Sequence, residues 1–472
     1  MKRILLTTLL AAGLSNASAQ VLHTANQKVD EVFQIAAKTL YHNVKDSLIH
    51  AGGGYGGEWT RDISINAWNA ANLLIPETTR FSLWSVTTDH RTFIGHQYWD
   101  QIIWVTGAYD HYLATGDRAF LRQAYQASRN SMEKLEKEVF DTSYGLFTGP
   151  SVFNDGIAGY EEPIYQSDID DSFVGAYPNH KYIKCLSTNC IYYQAYKILA
   201  QMAQELNETA VIPAYLEKAK NLKAKIREHL WDAQHHHLNY LIDQNGKVHT
   251  HQEGLGNAFA ILFGVVSQEE AKELVDQVYV SPYGLPSIYP CFQRFSKAKP
   301  GRHNVMVWPF VNAFWAEAAL RSDRADKFVF ELENLTDLVL SSEKCFYEIY
   351  NCYNGKVSGG WQSGNGKQEW DSIEDQTWSA TGYLRMIFKG MLGLEFTPQG
   401  LRVAPHGYLM KHLGFISLDD LRYQQGKLQI NRLGSGSTIR EIRINEVKAG
   451  TESALICAPH QGKTIVDIVM CN

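Results

Sequence analysis

Apolar positions recur with a helical period over most of the chain. Val29, Val32, Phe33, Ala36 and Leu40 fall on one helix face, as do Ile191, Ala195, Ile198, Leu199 and Met202, and then Ala219, Leu222, Ile226 and Leu230. The predicted helices pair across short punctuated turns: LATGDRAFL (113–121), QELNETAVIP (204–213), FGVVSQEEA (263–271) and LRSDRADKF (320–328). Each turn offers a Gly, Asn or Ser/Asp stop and a polar start for the next helix. Between pairs lie longer stretches rich in Gly, Pro, Tyr and Asp, at 50–62, 141–186, 281–304 and 342–372. Loops of that length in a compact domain usually carry function. Short turns at one end and long loops at the other, repeated five or six times, predict a mainly α protein: a toroid of helical hairpins with a loop-lined mouth. After Pro398 the pattern switches to short alternating β-branched runs, GKLQINRL (426–433), TIREIRINEV (438–447), SALICA (453–458) and KTIVDIVM (463–470). The expected division is a toroid over 20–392 and a small C-terminal β domain over 393–472.

The first residues change the picture of where the protein works. Lys2 and Arg3 precede an apolar Ile4–Leu14 stretch, and Ala17-Ser18-Ala19 has the small residues of a cleavage site. This predicts a secretory signal peptide over 1–19 and an exported, soluble, periplasmic or extracellular protein. No later segment has eighteen uninterrupted apolar residues, so no membrane span is expected. A net charge of −6 gives no reason to expect nucleic acid. Seven cysteines are an odd number and contain no C-x-x-C, which favours free thiols over a zinc ribbon.

Candidate chemistry lies in carboxylates. G-x-S-x-G, H-E-x-x-H and Walker A runs are absent from the sequence, and His235-His236-His237 reads as a polar turn, so neither metal nor cofactor is expected. The run GGGYGGEWTRD (52–62) contains a literal G-x-G-x-x-G but follows a predicted helix, not the strand a dinucleotide fingerprint needs. Its Asp62 starts the next helix, which allows an N-cap role alongside ligand binding. Asp155, between Phe153 and Tyr160, is a carboxyl among rings; desolvation there would raise its pKa and keep a proton available. The alternative is an Asp-Gly turn with Gly156. Glu348 lies among Phe346, Tyr347, Tyr350 and Tyr353, with Glu369, Asp371, Glu374 and Asp375 close behind as competitors. Two opposed carboxyl groups are the apparatus of glycoside hydrolysis, and an aromatic complement of 11 Trp, 25 Tyr and 20 Phe suits sugar stacking.

These residues resemble the six-hairpin (α/α)6 glycosidases. TGDRAFL is similar to their second-hairpin turn, and EWTRD resembles the W-x-R-D loop of the glucoamylase family, whose Arg and Asp hold the non-reducing sugar. FNDG resembles the acid-bearing loop of glycoside hydrolase family 63 and its trehalase relatives. YEIYNCYNGK, GGWQ and DQTWSATGYLRM resemble the base-bearing segment and following helix of family 63, and VWPF (307–310) is also similar. The resemblance spans roughly 50–392 and is nearest to family 63 with its mannosylglycerate-hydrolase-like branch. FNDG departs from the family's usual Trp-Asp or Asp-x-Asp pattern and Asn351-Cys352 from its common Asn-Pro, which bears on substrate more than on fold. The resemblance implies Asp155 as general acid and Glu348 as general base of an inverting, exo-acting hydrolase of an α-glucosidic or α-mannosidic bond. It implies Arg61 and Asp62 as grips on the terminal sugar, Trp59, Trp308 and Trp361 as walls, and Gln97 and Gln362 as further polar contacts. The expected partner is an oligosaccharide or small glycoside. A glycoside phosphorylase on the same toroid, which needs no base at Glu348, and a non-catalytic glycan-binding protein remain alternatives.

Overall fold

The computed structural model describes residues 20–55, 57, 59–362, 369–457 and 462–472. The predicted leader, residues 1–19, lies outside them, as do Gly56 and Glu58 of the glycine run and Ala458 at the end of one predicted strand.

Two kinds of helix alternate along the chain. Amphipathic ones are α1 (Gln27–His42), α3 (Pro76–Ser85), α5 (Arg118–Val139), α7 (Ile212–Leu230), α9 (Gln268–Gln277) and α11 (Ala325–Ser341). In α5 the buried residues Phe120, Leu121, Ala124, Tyr125, Ser128, Ser131, Met132 and Leu135 follow the three-and-four spacing of a single face. The others are buried nearly all round: α2 (Thr60–Asn66, running on through a π-helical Ala67–Ala71 and a last turn Asn72–Leu74), α4 (Trp104–Thr115), α6 (Leu186–Glu205), α8 (Gly254–Leu262), α10 (Pro309–Arg321) and α12 (Thr377–Arg385). In α10 every residue from Pro309 to Ala319 is buried. A helix without a polar face must be enclosed by others. Accordingly α2 packs on α4, α4 on α6, α6 on α8, α8 on α10, α10 on α12 and α12 on α2, in cyclic order. The approach of α4 to α2 depends on Gly107, where a Cβ would stand 2.8 Å from the Ser64 carbonyl oxygen.

The predicted turns are built as their sequences require. In TGDRAFL, Gly116 leaves α4 at φ 71° and Asp117 caps α5, accepting from the amides of Ala119 and Phe120. In FGVVSQEEA, Ser267 and Glu270 form a reciprocal capping box at the start of α9. Asp62 is the third residue of α2, whose N-cap position is Trp59, so the expected N-cap role for Asp62 is corrected.

The β-strands of the C-terminal part form two sheets. With β1 (Val21–His23), β2 (Leu394–Thr397), β3 (Gly400–Val403), β4 (Ser417–Tyr423), β5 (Gly426–Leu433), β6 (Thr438–Ile444), β7 (Val447–Gly450), β8 (Ala454–Ile456) and β9 (Lys463–Cys471), the larger sheet runs β1-β4-β5-β9-β6-β7 and the smaller β2-β3-β8. The centre of the larger sheet is a parallel pair, with Leu428 opposite Thr464 and Ile430 opposite Val466. Its edge strand β1 comes from the other end of the sequence, with Leu22 opposite Leu418. The sheets touch the late turns of the inner helices, β4 against Asn72–Leu74 and β2 against α4. The N-terminal ends of those helices are left to the loops. Among the described residues no helix is long and apolar enough to cross a membrane, and all seven cysteines are free.

Candidate active site

A cavity of about 230 Å³ opens where the N-terminal ends of α2, α10 and α12 meet the long loops. Every one of the four predicted loops contributes: Tyr55, Trp59, Arg61 and Asp62 from the first; Phe153, Asp155, Gly156, Ser172 and Phe173 from the second; Arg302 and His303 from the third; Glu348, Gln362 and Trp370 from the fourth. Trp308 and Trp378, at the heads of α10 and α12, complete the lining.

One side of this cavity is organised by Arg61. Its Nη1 donates to Asp100 Oδ2 at 3.0 Å and its Nη2 to Asp155 Oδ2 at 3.2 Å, while Nε lies 3.9 Å from Asp62 Oδ2. Burial pushes Asp62 and Asp100 up to about 7; the Asp155 charge adds to this, and Arg61 opposes it. Asp155 behaves oppositely. Burial raises it most, but the Arg61 charge and hydrogen bond, with His303 and Arg302, together outweigh that and hold the carboxyl below its ordinary value. The expectation that aromatic surroundings alone would keep Asp155 protonated is therefore corrected: Phe153 is present, but a guanidinium is bonded to the carboxylate. Asp155 is also the most open of these groups, its side chain 32% exposed.

The loop holding Asp155 is pinned on both flanks. Val174 donates its amide to the Asp155 carbonyl at 2.8 Å and Ile157 to that of Ser172 at 2.9 Å. Gly156 cannot be replaced without movement, because a Cβ there would meet Gln362 Nε2 at 2.3 Å and His303 Cδ2 at 2.5 Å. His303 stacks on Trp308 at 4.9 Å, with its Nδ1 3.1 Å from Asn154 Oδ1 and its Nε2 3.7 Å from Asp155 Oδ1. Burial pushes this imidazole down to about 3, so it is neutral at ordinary pH.

The other side is organised by Arg302. Its Nη2 donates to Glu348 Oε2 at 2.6 Å, and its Nη1 to the carbonyls of Gly359 and Asp371 at 3.1 and 3.2 Å. Tyr55 donates its hydroxyl to Glu348 Oε1 at 3.0 Å. Burial and the Glu348 charge push the Tyr55 phenol up, which keeps it a neutral donor. Both carboxylate oxygens of Glu348 are thus held, and its side chain is only 5% exposed.

Of the residues predicted from sequence, Trp59, Arg61, Asp62, Asp155, Trp308, Glu348 and Gln362 meet in this lining, and Gln97 and Trp361 do not. Gln97 accepts the amides of Asp100 and Gln101 through its carbonyl, supporting the turn that presents Asp100. Trp361 lies beneath Lys299 at 4.7 Å, and its carbonyl accepts the Arg302 amide, so it braces Arg302 from outside. Asp62 Oδ2 and Gln362 Oε1 have no hydrogen-bond partner among the described residues. Tyr55, Arg302, His303, Asp100, Phe173 and Trp370 escaped sequence reasoning. Asp100 had a signal, since it follows Tyr98-Trp99 as Asp155 follows Phe153; GRHN around Arg302 has none.

A larger hollow of about 650 Å³ lies at the opposite end, by the sheets, lined among others by Trp68, Lys197, Glu317, Arg385 and Lys389. Two of its carboxylates are matched by cations, the buried Glu317 by Arg385 at 2.6 Å and the half-buried Asp110 by Lys389 at 3.2 Å. Among the described residues no group of three or more His, Cys, Asp and Glu could hold a metal ion; His235 and His236 sit in the turn between Trp231–Asp232 and His237–Leu238.

Comparison with known proteins bears on this geometry. No curated protein matches the sequence. The fold is similar to that of the family 63 mannosylglycerate hydrolase of Thermus thermophilus solved with glucose, at TM-score 0.61 and 16% identity over 75% of this chain and 100% of that one. It is also similar to the rhamnosidase of Klebsiella oxytoca solved with rhamnose, at TM-score 0.57 and 14% identity over 78% and 66%. The family 78 rhamnosidase of Bacillus sp. GL1 aligns at TM-score 0.59 and 13% identity over 97% and 44%. At such identities the likeness concerns the fold. The model of the mannosylglycerate hydrolase MGH1-like glycoside hydrolase domain matches residues 101–379, more than half of the chain and including both Asp155 and Glu348. The chain thus belongs to the MGH1-like glycoside hydrolase family.

Proposed function

We propose that the protein is an exported, exo-acting, inverting glycoside hydrolase of α-glucosidic or α-mannosidic bonds, with Asp155 as general acid and Glu348 as general base. The observation that carries this reading is the convergence of two carboxylates from different loops on one cavity of about 230 Å³, below the usual size of a drug-like pocket and suited to a single sugar unit. Asp155 protonates the glycosidic oxygen while Glu348 takes a proton from the attacking water on the opposite face of the ring. The Arg302 and Tyr55 hydrogen bonds orient Glu348 and leave each oxygen a further lone pair for that water. Covering Asp155 with substrate removes it from solvent and shifts it toward its protonated form. Arg61, Asp62 and Gln362 grip hydroxyls of the terminal sugar; Asp62 Oδ2 and Gln362 Oε1, unpaired among the described residues, are suited to that task. Trp59 and Trp308 are walls, whereas Gln97 and Trp361 act one layer behind.

The cyclic order of the inner helices supports an (α/α)6 toroid over 20–392, with 393–472 as an appended β domain to which β1 adds an edge strand. Export follows from the leader over 1–19; N-terminal sequencing of secreted protein starting near Gln20 would support it, and an intact Met1 would overturn it.

The test of the activity is a panel of aryl α-glycosides and disaccharides with the product anomer read by NMR. Inverted product, lost in Asp155→Ala and Glu348→Ala, supports the paired roles. Retained product, or full activity in either variant, refutes them. Sugar 1-phosphate formed only in phosphate buffer would instead identify a phosphorylase, and glycan binding without cleavage a binding protein.

A further inference from the structure

Two large rings of the cavity lining remain open to solvent, Phe173 at 43% exposure and Trp370 at 40%, while Trp308 and Trp378 are buried. Exposed rings grouped at a cavity mouth are surface that a ligand can cover. Phe173 is fixed to the acid's own loop. Its residue bridges Gly156, and the flanking bonds are Val174 N–H to the Asp155 carbonyl and Ile157 N–H to the Ser172 carbonyl. Trp99 supports the ring from behind at 6.1 Å. Trp370 is held by paired backbone bonds with Gly359 and Gly360 and lies over the Arg302 guanidinium at 5.4 Å.

A general acid must reach the oxygen of the leaving group. An exposed side chain beside Asp155 therefore faces what departs, and not the sugar held by Arg61 and Asp62. Charge narrows the choice of leaving group. Among the described residues the cations of the lining are Arg61 and Arg302, and each already faces carboxylates, the first Asp100 and Asp155 and the second Glu348. With Asp62, Asp155 and Glu348 also in the lining and His303 neutral, an arriving carboxylate meets three carboxylates.

We infer that the mouth is a leaving-group subsite for a neutral group with a flat apolar face, a sugar ring or an arene, seated on Phe173 with Trp370 as second platform, and that it disfavours a carboxylate-bearing leaving group. The inference rests on the hydrolase reading above and goes beyond it in naming the substrate class.

The test uses one glycone, α-glucose or α-mannose, with four leaving groups: fluoride, 4-nitrophenol, a second hexose and glycerate. Fluoride is a single atom and covers no platform. The expected order in kcat/KM places the aryl and disaccharide substrates about tenfold or more above the glycerate glycoside. Phe173→Ala lowers kcat/KM about tenfold for the aryl and disaccharide substrates, leaves the fluoride within about twofold, and is rescued by Phe173→Tyr. Preference for the glycerate glycoside overturns the inference. So does a Phe173→Ala loss that is equal on the fluoride, which marks a structural role, or no loss on any substrate. Cleavage of the fluoride by the wild type separates these outcomes from failure of the hydrolase reading. A protein that cleaves none of the four refutes that reading and the subsite with it.

Discussion

The two sides of the cavity each contain one buried guanidinium, and they are populated differently. Arg302 serves a single carboxylate, Glu348, and its other hydrogen bonds go to two backbone carbonyls and the Tyr55 hydroxyl. Arg61 faces three carboxylates, Asp62, Asp100 and Asp155, and satisfies none of them alone. A matched pair fixes geometry and charge. An oversubscribed guanidinium leaves carboxylates whose protonation depends on what else enters the site, and burial has already pushed two of them up to about 7. This asymmetry suits a base that must stay oriented and an acid that must acquire and release a proton.

The largest effect expected is on catalysis. Asp155→Asn and Glu348→Gln should each lower kcat/KM for a disaccharide by about 10²–10⁴. They separate on a glycosyl fluoride, whose leaving group needs no protonation: Glu348→Gln stays impaired and Asp155→Asn recovers most of its rate. Equal impairment of the two variants on both substrates would erase the distinction between the sides.

Breaking the matched pair comes next. Arg302→Met leaves Glu348 buried without its cation, and removing one partner of a buried pair costs about 3–5 kcal/mol. Chemical unfolding should register that loss, and Arg302→Met combined with Glu348→Met should restore most of it. A single variant as stable as wild type would mean the pair is not buried as described.

The oversubscribed side should show in pH dependence. Asp62 and Asp100 sit near 7 in the folded chain against an ordinary 3.8, so folding takes up protons between those values. Their contribution therefore favours the folded state at pH below about 4–5 and is lost as pH rises toward 7. Asp155, held below 3.8, contributes the opposite sign, and loses its contribution only under stronger acid. Asp100→Asn should flatten the fall in melting temperature between about pH 5 and pH 7.5. An unchanged slope would place the titration elsewhere.

Tyr55→Phe is the smallest change. It removes one hydrogen bond to Glu348, worth about 0.5–1.5 kcal/mol, so kcat/KM should fall about two- to twelvefold and stability by no more than about that amount. A thousandfold loss would promote Tyr55 from orienting Glu348 to direct participation.

Much of this was legible in the chain because it is written in local physics. Gly116-Asp117 and Ser267/Glu270 stop and start helices wherever they occur, and they do so here. Helices α1, α6 and α7 showed buried positions as a period, and four of the C-terminal strands showed their alternation. The strands Leu394–Thr397, Gly400–Val403, Ser417–Tyr423 and Val21–His23 were not foreseen, the last because nothing near residue 21 says that its partner is at 417–419. Asp155 and Glu348 stood out as carboxylates among rings. Arg302 did not, since an arginine in a loop has no pattern until a carboxylate arrives from 46 residues away.

By itself the sequence determined the helices, their turns, the long loops and the carboxylates those loops carry, because each depends on residues within a turn or two of one another. Only the tertiary structure decided which carboxylates share a cavity, that Arg61 has three and Arg302 one, and that Gln97 and Trp361 stand behind the lining. Charge pairing, burial and the resulting protonation arise between segments that helix packing brings together, and Asp155 is the plainest case: its aromatic neighbours were visible in the chain, and its bond to Arg61, which works against their effect, was not.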